Sequence, residues 1–591
     1  MKLLTRYMGH CKTAIAAAIF IKLAATMTEL LLPYILEYII DDIVPVGNLS
    51  LVLLWGTLMF LSAFLCRYFS VMANRKAIDN AHRISYRVRQ DLFTKTVNLS
   101  GSQFDGFGLP SLISRMTSDS YNVQTAVQQL QSLCVRAPII LVGGVIMTMI
   151  MDFPLALVLL IMLPVLITVV FFVSSRGIPL YQTVQNSLDV VVRIMRENIS
   201  GIRVIKALSK GDWEKKRFAA ANEALTQDDM KASMVMAVPG PLMQAFLNAG
   251  LTVVVILGAW RVNAGYIRSG VILAFLTYFN MITMGVMGLN RIFMTLSKAT
   301  ASANRIDAVL QTENVQHILP DSEARKPSGP EFIRFEHVSF NYGKNDDTSD
   351  GFAGEEREMA LHDISFAINR GESLGIIGPT GCGKTTITNL LLRFYDAGEG
   401  GVFIDGKDVR TYDKDELHRK FGIVFQNDMI FQDTLYENIN FGRDLSPQAI
   451  NHAVKHAMAA EYVESLDDGL SYQASIKGAN LSGGQKQRLL ISRALAGTPE
   501  ILILDDSSSA LDYKTDAAMR HEILGNYPDT TLIMVAQRIS SLMGLTHILV
   551  MDNGKCIGYG NHSQLLEQCP VYRQISLMSS APAFPQMWSK S

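Results

Sequence analysis

Long stretches without any charged residue constrain this chain more than any other feature. Three of them cover residues 153 to 175, 232 to 260 and 269 to 290. A bilayer core about 30 Å thick is crossed by about 20 apolar residues in a helix, so each stretch predicts one membrane span. Two shorter uncharged runs, residues 51 to 66 and 137 to 151, predict spans that continue into flanking polar helix.

A sixth span is predicted over residues 13 to 40, although this segment is not free of charge. It carries Lys22, Glu29 and Glu37. Charges are costly against lipid, so these side chains are expected to face the bundle interior or water. The apolar stretch continues to Asp41 without a small-residue cleavage site, which predicts a retained helix rather than a signal peptide.

The distribution of lysine and arginine between the connections predicts the orientation of these spans. Residues 67 to 95 and 193 to 217 are rich in both, and such cations concentrate in cytoplasmic connections. The opposite connections are short and nearly free of cations, except for Arg261 and Arg268. We expect a multi-pass protein of the cytoplasmic membrane, with both termini and the domain after the spans inside the cell.

The two cytoplasmic connections are long, and their sequence is typical of helix rather than of loop. We expect helices that project into the cytoplasm and provide a docking platform for a second domain. The alternative interpretation of any one charged stretch is a solvated surface.

Composition supports a membrane protein and excludes several other classes. Hydrophobic residues make up 49% of the chain and charged residues 18%, whereas a soluble domain usually has about 25% charge. The 53 Lys and Arg against 54 Asp and Glu give a formal charge of -1, so no bulk positive field points to nucleic acid. Six scattered cysteines without a CxxC pair predict neither a disulfide framework nor a cysteine metal site.

After the spans the sequence changes character. Residues 311 to 330 are polar and contain three prolines, which predicts a linker. From there onward, short β-rich runs alternate with helical stretches, the pattern of an α/β domain. We therefore predict an all-α transmembrane domain with six spans over residues 1 to 310 and an α/β domain over residues 331 to 591. An acidic segment at residues 344 to 358 predicts a disordered loop insertion.

The most specific chemical signal is a glycine-rich loop between an apolar strand and a helix, which fits the pattern GxxxxGK[ST]. Its residues are Gly378, Pro379, Thr380, Gly381, Cys382, Gly383, Lys384 and Thr385, followed by Thr386. In such a loop, backbone N–H groups surround phosphate oxygens. Lys384 is expected to reach the terminal phosphates of ATP, and the Thr385 hydroxyl is expected to bind Mg²⁺.

A second apolar strand, residues 501 to 505, ends in Asp505. The carboxylate of Asp505 is expected to hold the same Mg²⁺ through water. On its own a strand that ends in two aspartates is a weak signal. Together with the glycine-rich loop it predicts a nucleoside triphosphatase.

Between these two motifs lies LSGGQKQR, Leu481 to Arg488, and with it the chain resembles the ATPases of the ABC transporter family. Six predicted spans followed by one such domain are similar to an exporter-type half-transporter, in particular to subunits of bacterial heterodimeric multidrug exporters. The resemblance covers nearly the whole chain. It implies a P-loop ABC ATPase domain that works in a dimer with a second half-transporter and hydrolyses ATP with Mg²⁺.

The resemblance also implies roles for residues outside the P-loop. Tyr342 would stack on adenine, although an aromatic residue at a strand end is also commonly a packing residue. Gln426 would bind at the metal site and link it to the membrane domain. The segment Ser509 to Asp512 would cross the dimer interface, and residues 109 to 119 and 196 to 218 look like the two coupling segments of the membrane domain.

In ABC dimers each signature motif completes the ATP site of the opposite subunit. The resemblance therefore implies that the signature of this chain contacts the γ-phosphate of ATP bound to a partner. The residues concerned are Ser482, Gly483, Gly484 and Gln485. This chain would then contribute to two different ATP sites.

Two residues depart from the family pattern in the predicted catalytic centre. Asp506 stands where the family has a catalytic glutamate, and its side chain is one methylene shorter. A general base must lie within about 2.6–3.2 Å of the proton that it takes, so the shorter side chain is expected to slow hydrolysis. Gln537 stands where the family has a histidine, and an amide cannot become cationic. Residues 475 to 480 also lack the acidic residue usual ahead of the signature.

These departures predict a degenerate ATP site on this chain. A homodimer would carry two impaired sites, so we expect an obligate heterodimer whose hydrolysing site is completed by the signature of this chain. The alternative is that Asp506 and Gln537 are tolerated variants in an active site.

The substrate is less closely specified. Methionines concentrate in the last two spans, and flexible thioethers suit surfaces that bind varied apolar ligands, although methionine is also common facing lipid. We expect export of small lipophilic or drug-like compounds. The alternatives are a lipid, peptide or siderophore translocator, or an ATP-gated membrane regulator without transport. Four polar residues of the spans are either cavity contacts or interhelical contacts: Glu29, Arg136, Asn248 and Asn290.

Overall fold

The chain folds into two units joined by three crossings of the backbone. The first unit comprises Met1–Val97 and Pro110–Thr312, and the second comprises Asn98–Leu109 and Glu313–Ser591. The structure is a computed structural model, and the residues that it describes are 2–313, 316–342, 359–507 and 511–580.

The first unit is built from helices. The helices before residue 311 are, in chain order, α1 (Lys2–Gly9), α2 (Lys12–Tyr38), α3 (Leu49–Val97), α4 (Gly101–Phe107), α5 (Leu109–Ser114), α6 (Ser120–Gln131), α7 (Leu133–Met151), α8 (Phe153–Ser200), α9 (Ile202–Ala207), α10 (Gly211–Ala237), α11 (Pro239–Asn263) and α12 (Ser269–Leu310). Two short π-helical segments, Ile39–Ile43 and Arg115–Asp119, interrupt the regular pattern. Of these helices, α4 belongs to the second unit.

Six helices account for the six predicted spans. Among the described residues, five helical stretches are long and apolar enough to cross a membrane, and the remaining span, in α8, has a shorter apolar stretch at Phe153–Val169. The helices exceed the apolar runs because polar helix continues from them: α3 has 49 residues and α8 has 48. The prediction that the long connections are helical is confirmed.

The turn between α7 and α8 illustrates how the sequence ends one span and begins the next. The Asp152 carboxylate accepts a hydrogen bond from the backbone N–H of Leu155 at 2.9 Å, which caps α8. Pro154 lies in the first turn of α8, where its missing N–H has no intrahelical partner to lose. The connection can therefore be as short as a tight turn.

The two cations that weaken the predicted charge asymmetry are both paired with aspartates. Arg261 Nη2 donates to Asp152 Oδ2 at 2.8 Å, and Arg268 forms an ion pair with Asp42. Each pair joins the region between α11 and α12 to an earlier turn of the first unit. The carboxylates therefore offset the positive charge of both arginines.

Two of the three charged side chains of the first span, Lys22 and Glu29, contact neighbouring helices. Lys22 is 5% exposed and donates to Ser70 Oγ at 3.0 Å. Arg136 Nη2 donates to Glu29 Oε1 at 2.7 Å. The interior position expected of Lys22 is confirmed, and the pair formed by Glu29 and Arg136 favours an interhelical contact over a cavity contact.

The remaining polar residues of the spans behave differently. Glu37 is half-buried near the end of α2. Asn248 is exposed, and its side-chain oxygen accepts from Gln244 Nε2 of the same helix at 3.4 Å. The side chain of Asn290 lies outside the described part of the structure. Asn248 therefore stays a candidate for contacts beyond its own helix.

The second unit contains two sheets and the helices that flank them. Its strands are β1 (Ile333–Phe340), β2 (Leu361–Ile368), β3 (Ser373–Ile377), β4 (Glu399–Ile404), β5 (Lys407–Asp408), β6 (Phe421–Val424), β7 (Ile501–Asp505), β8 (Thr531–Val535), β9 (His547–Asp552) and β10 (Lys555–Gly560). Its later helices are α13 (Lys384–Leu391), α14 (Lys414–Arg419), α15 (Leu435–Asn440), α16 (Pro447–His456), α17 (Ala460–Glu464), α18 (Gly483–Leu495), α19 (Tyr513–Asn526), α20 (His562–Gln568) and α21 (Pro570–Ser580). The predicted α/β class is confirmed.

The larger sheet has the strand order β10-β9-β3-β8-β7-β6, and its strands are parallel except for the pair β10 and β9. Every residue of β3, β7 and β8 is buried, as expected for parallel strands covered on both faces. The smaller sheet is antiparallel, with the order β2-β1-β4-β5. Because β8 lies between β3 and β7, the segments after these three strands meet at one edge of the larger sheet.

Helix α4 is the part of the long connections that packs within the second unit. The backbone N–H of Gly101 donates to the carbonyl oxygen of Phe394 at 3.1 Å, and the Tyr395 hydroxyl donates to Asp105. A Cβ on Gly101 would lie 2.8 Å from the same carbonyl oxygen, so this close approach requires glycine. The sequence predicts a coupling segment over residues 109 to 119, but the docked helix lies just ahead of that range.

Candidate nucleotide-binding site

The glycine-rich loop joins β3 to α13 through backbone conformations that favour glycine. Gly381 has φ +87° and Gly383 has φ +99°. A Cβ on Gly383 would also lie 2.7 Å from the carbonyl oxygen of Ala360. Helix α13 begins directly after this residue, so the positive end of the helix dipole lies at the loop, where it favours an anion.

The ammonium group of Lys384 lies against this loop. Its Nζ donates to the carbonyl oxygens of Gly378 at 2.8 Å and Pro379 at 2.7 Å. Both acceptors are uncharged, so the positive charge stays available to an anionic ligand. Phosphate is the anion that this loop pattern predicts.

The Thr385 hydroxyl and the Asp505 carboxylate meet where β7 ends. Thr385 Oγ1 donates to Asp505 Oδ2 at 3.3 Å. Asp505 is 2% exposed, and its burial raises the pKa of the carboxyl group; the charge of Asp506 adds to this increase, while the hydrogen bond from Thr385 opposes it. A buried carboxylate beside a hydroxyl is a hard oxygen donor set that suits Mg²⁺, whose charge would stabilise the ionised form.

Asp506 follows β7 directly and has a left-handed backbone conformation, with φ +50°. Its Oδ2 accepts hydrogen bonds from Gln537 Nε2 at 3.0 Å and from Gln426 Nε2 at 3.4 Å. Such a conformation is uncommon outside glycine and concentrates at functional sites. The two residues that depart from the family pattern, Asp506 and Gln537, are therefore in direct contact.

Tyr342, which follows β1, is held by both its hydroxyl and its ring. The hydroxyl donates to Thr386 Oγ1 at 3.1 Å and accepts from Asn389 Nδ2 at 3.4 Å. The ring packs edge-on against Phe340 and Tyr395, with centroid distances of 4.8 and 5.1 Å. Packing and ligand binding are thus compatible for this residue, because its neighbours fix the ring beside the P-loop. Asn389 was not expected here, since no motif marks it.

These residues surround a cavity of about 300 Å³, called here the P-loop cavity. Its lining consists of Tyr342, Ala360, Thr380, Gly381, Gly383, Lys384, Thr385, Thr386, Gln426, Asp505, Asp506, Val535, Ala536 and Gln537. The structure therefore brings together side chains from distant segments that the sequence assigns to one site.

Three lining residues are not predicted from the sequence: Ala360, Val535 and Ala536. All three are small or apolar and carry no chemistry that a motif would reveal. Val535 ends β8 and Ala536 follows it, so the place of β8 between β3 and β7 is the signal that locates them. Ala360 precedes β2 and approaches the loop at Gly383.

Three predicted loop residues lie outside the cavity lining: Gly378, Pro379 and Cys382. The first two offer the backbone oxygens that hold Lys384. Cys382 is 3% exposed, and Lys384 Nζ lies 3.7 Å from its Sγ. These residues therefore support the loop and Lys384 from the side away from the cavity.

The signature residues Ser482 to Gln485, called here the signature turn, do not line the P-loop cavity. Ser482 caps α18, with its hydroxyl accepting from the backbone N–H of Gln485 at 3.3 Å. In return, the Gln485 side chain accepts from the backbone N–H of Ser482 at 2.8 Å. This capping box fixes the start of α18, while Ser482 and Gly483 stay exposed.

Parts of two predictions fall outside the described residues. Ser509 and Ala510 of the segment Ser509 to Asp512 are among them, as is the acidic insertion at 344 to 358. Asp512 is described, and it caps α19 by accepting from the backbone N–H of Thr515 at 2.9 Å.

Two family models match the chain. The model described as ABC transporter transmembrane region matches residues 15–286, and the model described as ABC transporter matches residues 361–509. The first match covers the spans, and the second covers the P-loop, the signature turn and the end of β7.

Relatives match over most of their length. An uncharacterized ABC transporter ATP-binding protein of Bacillus subtilis (strain 168) is 34% identical over 559 residues, which is 94% of this chain and 95% of the relative. A protein of Mycobacterium bovis (strain ATCC BAA-935 / AF2122/97), named as a fatty acid ABC transporter ATP-binding/permease protein, is 29% identical over 518 residues, which is 87% of this chain and 80% of the relative.

A solved structure shares the fold. It is described as a bacterial Atm1-family ABC exporter with ATP bound, and it aligns with a TM-score of 0.79 at 22% identity. The alignment covers 96% of this chain and 99% of that chain. The helical unit and the α/β unit therefore have the fold of an ABC exporter.

Proposed function

The chain belongs to the ABC transporter family, and we propose that it is one subunit of a heterodimeric exporter that binds ATP tightly at its own site and hydrolyses it slowly there. Its ABC ATPase domain implies ATP hydrolysis coupled to transport across the membrane. The finer points, which are the unequal sites, the partner and the substrate, make up the proposal.

The P-loop cavity supports the assignment of nucleotide binding. Lys384 and the loop backbone would hold the phosphates, and Tyr342, which its neighbours keep beside the loop, would stack on the adenine. Thr385 and Asp505 would hold Mg²⁺, with Gln426 nearby. The metal would supply positive charge that offsets the negative charge of the phosphates.

The contact between Asp506 and Gln537 is the observation that carries the degenerate-site proposal. Hydrolysis needs a base that takes a proton from the attacking water, and Asp506 has a short side chain whose Oδ2 accepts from two amides. Neither amide can take up or release a proton at neutral pH. The same hydrogen bonds hold Asp506 in place, so this site favours retention of ATP over its cleavage.

A heterodimer follows from this chemistry. The signature turn of this chain has the intact LSGGQ sequence. It can therefore complete an ATP site on a subunit that has both the catalytic glutamate and the histidine of the family. A homodimer would instead place Asp506 and Gln537 in both sites. We therefore expect this chain purified alone to have little ATPase activity, and the pair to have much more.

Restoring the two family residues tests the degenerate site. Asp506→Glu combined with Gln537→His should raise the ATPase rate of the purified pair by about twofold, because two sites would then turn over in place of one. Asp467→Glu, at an exposed position, is the matched control and should leave the rate unchanged. An unaltered rate in the double variant would contradict the proposal.

Export of lipophilic or drug-like compounds is the proposed transport activity. The methionines of α11 and α12 support it, because some, such as Met284 and Met287, are exposed on the unit while Met243 is buried. Transport of dyes into inside-out vesicles, driven by ATP, is the test. A regulator without transport would bind ATP without ATPase stimulation by any such compound.

Lipid translocation is the second candidate, favoured by the relative named as a fatty acid transporter. Competition between a labelled fatty acid and a dye in the same vesicles separates the two candidates.

A further inference from the structure

A buried carboxylate of the first unit joins the segment after α5 to the end of α12. Asp119 Oδ1 accepts from Ser302 Oγ at 2.8 Å, and its Oδ2 accepts from Arg305 Nε at 2.9 Å. Arg305 Nη2 makes a further contact with Oδ1, so the ion pair is two-pronged. The side chain of Asp119 is 2% exposed, whereas that of Arg305 is 47% exposed.

Two more hydrogen bonds join the same segments. Asn122 Nδ2 donates to Ser302 Oγ at 3.0 Å, and Arg115 Nη1 donates to the carbonyl oxygen of Arg305 at 3.0 Å. Arg115 and Ser302 are themselves buried. Together with Asp119, these residues form a polar cluster in which each of these contacts bridges residues 115 to 122 and α12.

The cluster includes a departure from regular helix. Arg115–Asp119 is π-helical, and the Ser120 hydroxyl donates to the carbonyl oxygen of Arg115 at 2.9 Å. Single π-helical turns are rare and occur often at functional sites. Here the π-helical turn ends at the residue that makes the ion pair.

The position of the cluster in the chain points to a role in coupling. The backbone leaves the second unit at Leu109, ten residues before Asp119, and enters it again after Thr312, seven residues after Arg305. In the second unit, Gln103 Nε2 of α4 donates to the carbonyl oxygen of Glu313 at 2.5 Å. The crossing after Leu109 and the crossing after Thr312 are therefore linked by hydrogen bonds in both units.

We propose that Asp119 is a positioning residue for coupling: its carboxylate fastens the end of α12 to the segment that follows the docked helix α4. A change of state in the ATPase domain that moves one crossing then moves the other, and the last span follows. This inference rests on the proposed transport function and deepens it, because it names the side chain through which the spans respond to ATP.

A merely structural role gives a different expectation. If Asp119 only stabilised the fold, its loss would lower thermal stability, ATPase activity and transport together. As a positioning residue, it should be needed for transport while the ATPase keeps running. Because Arg305 is half exposed, water can solvate it when Asp119 is made neutral, so the fold is expected to survive Asp119→Asn.

The experiment uses the heterodimer reconstituted in vesicles, with ethidium as the transported probe. Asp119→Asn should leave the ATPase rate within about twofold of wild type and lower the ethidium moved per ATP by about fivefold or more. Arg305→Gln should have the same effect, because it removes the cation from the pair. Arg305→Lys keeps that cation and should restore most of the coupling.

Asp79→Asn is the matched control. Asp79 is 60% exposed and pairs with Arg83 of the same helix at 3.1 Å, so its loss should leave the ratio of transport to ATPase unchanged. An unchanged ratio in Asp119→Asn, or a parallel fall of ATPase, transport and melting temperature, would overturn the proposal. Failure of the wild type to move dye, lipid or peptide would contradict the proposed function instead.

Hydrogen exchange provides a readout that needs no transported probe. In the wild type, ATP should change the amide protection of both α4 and α12. In Asp119→Asn, the change should persist in α4 and be lost in α12. If ATP still alters α12 in this variant as it does in the wild type, the proposal fails, whatever the transport assay gives.

Discussion

The P-loop cavity and the signature turn are built in opposite ways. In the P-loop cavity, side chains from distant segments face one space, where Thr385 donates to Asp505 and Gln537 donates to Asp506. In the signature turn, Ser482 and Gln485 form hydrogen bonds with each other, and the turn does not line the P-loop cavity. One region is assembled to surround a ligand, and the other is assembled to keep its own shape.

This difference fits the proposal that the two regions serve different nucleotides. The P-loop cavity holds the residues proposed to bind ATP, with the short Asp506 side chain and the amide of Gln537 at the positions where the family has glutamate and histidine. The signature turn keeps the full family sequence although it lines no part of the cavity. Changes in the two regions should therefore have separable effects on binding and on turnover.

The largest effect is expected in the signature turn. Gly484→Asp places a carboxylate where the γ-phosphate of the partner's ATP must approach bare backbone, so steric and charge repulsion act together. We expect the ATPase rate of the heterodimer to fall by about 100-fold or more. ATP held on the P-loop of this chain should stay bound, which a filter assay with labelled ATP measures.

Retention of a near wild-type ATPase rate in Gly484→Asp would remove the signature turn from the hydrolysing site. Loss of ATP from both chains would point to a folding defect instead of a site in trans. Gly525→Asp is the control, since a Cβ at that helical position has no neighbour within 4 Å among the described residues.

The next effect is expected at the lysine of the P-loop cavity. Lys384→Ala removes the charge that would hold the phosphates, and charge-assisted hydrogen bonds contribute about 1.5–3 kcal/mol. ATP binding to this chain should weaken by about 10-fold or more, and transport should slow because the dimer closes less readily. Equilibrium binding of a fluorescent ATP analogue measures the first, and vesicle uptake measures the second.

Hydrolysis on the partner should continue at a reduced rate in Lys384→Ala. Unchanged nucleotide occupancy of this chain would be incompatible with the assigned role of the lysine. Lys555→Ala serves as the comparison, because it removes an exposed lysine that does not line the cavity.

Much of this site is predictable because its residues stand together in the sequence. The loop that ends at Thr385 and the strand that ends at Asp505 are runs of consecutive residues, and their side chains meet as the motifs imply. The contact between Gln537 and Asp506 is different, because it depends on β8 lying beside β7 in the sheet. No local pattern specifies that neighbour.

The membrane unit marks the limit of prediction more clearly. Uncharged runs locate the spans, since lipid imposes a simple rule on them. Pairing within the spans has no such rule: Glu29 and Arg136 are 107 positions apart and meet only when α2 and α7 pack. The packing of helix α4 likewise depends on Gly101, which lets its backbone approach that of Phe394. No pattern in the sequence indicates this requirement.

A smaller effect on ATP affinity is expected at Tyr342, on which the adenine is predicted to stack. Tyr342→Ala removes the aromatic face, and stacking on an aromatic side chain contributes about 1–3 kcal/mol per nucleobase, so ATP affinity should fall by about 5-fold or more. Tyr342→Phe keeps the ring and loses the hydrogen bond to Thr386, so its affinity should stay close to that of the wild type. Equal losses in both variants would mean that the hydroxyl, and not the ring, is what matters.

The smallest effect on ATPase activity is expected at Asp506, which stands at the position of the general base. Asp506→Asn keeps an oxygen that can accept from Gln537 and Gln426, and under the proposal turnover belongs to the partner's site. The heterodimer should therefore keep more than about half of its ATPase activity, whereas removal of the partner's corresponding carboxylate should abolish it. Near-complete loss in Asp506→Asn would show that this chain hydrolyses ATP itself.

The most direct test of unequal sites follows the nucleotide on each chain during turnover. The purified heterodimer is supplied with radiolabelled 8-azido-ATP, crosslinked by light after many turnovers, and separated into its chains, and the bound nucleotide is identified on each. We predict that the nucleotide on this chain is still mainly ATP while the nucleotide on the partner is mainly ADP. Equal fractions of ADP on the two chains, appearing at the same rate, would contradict the account.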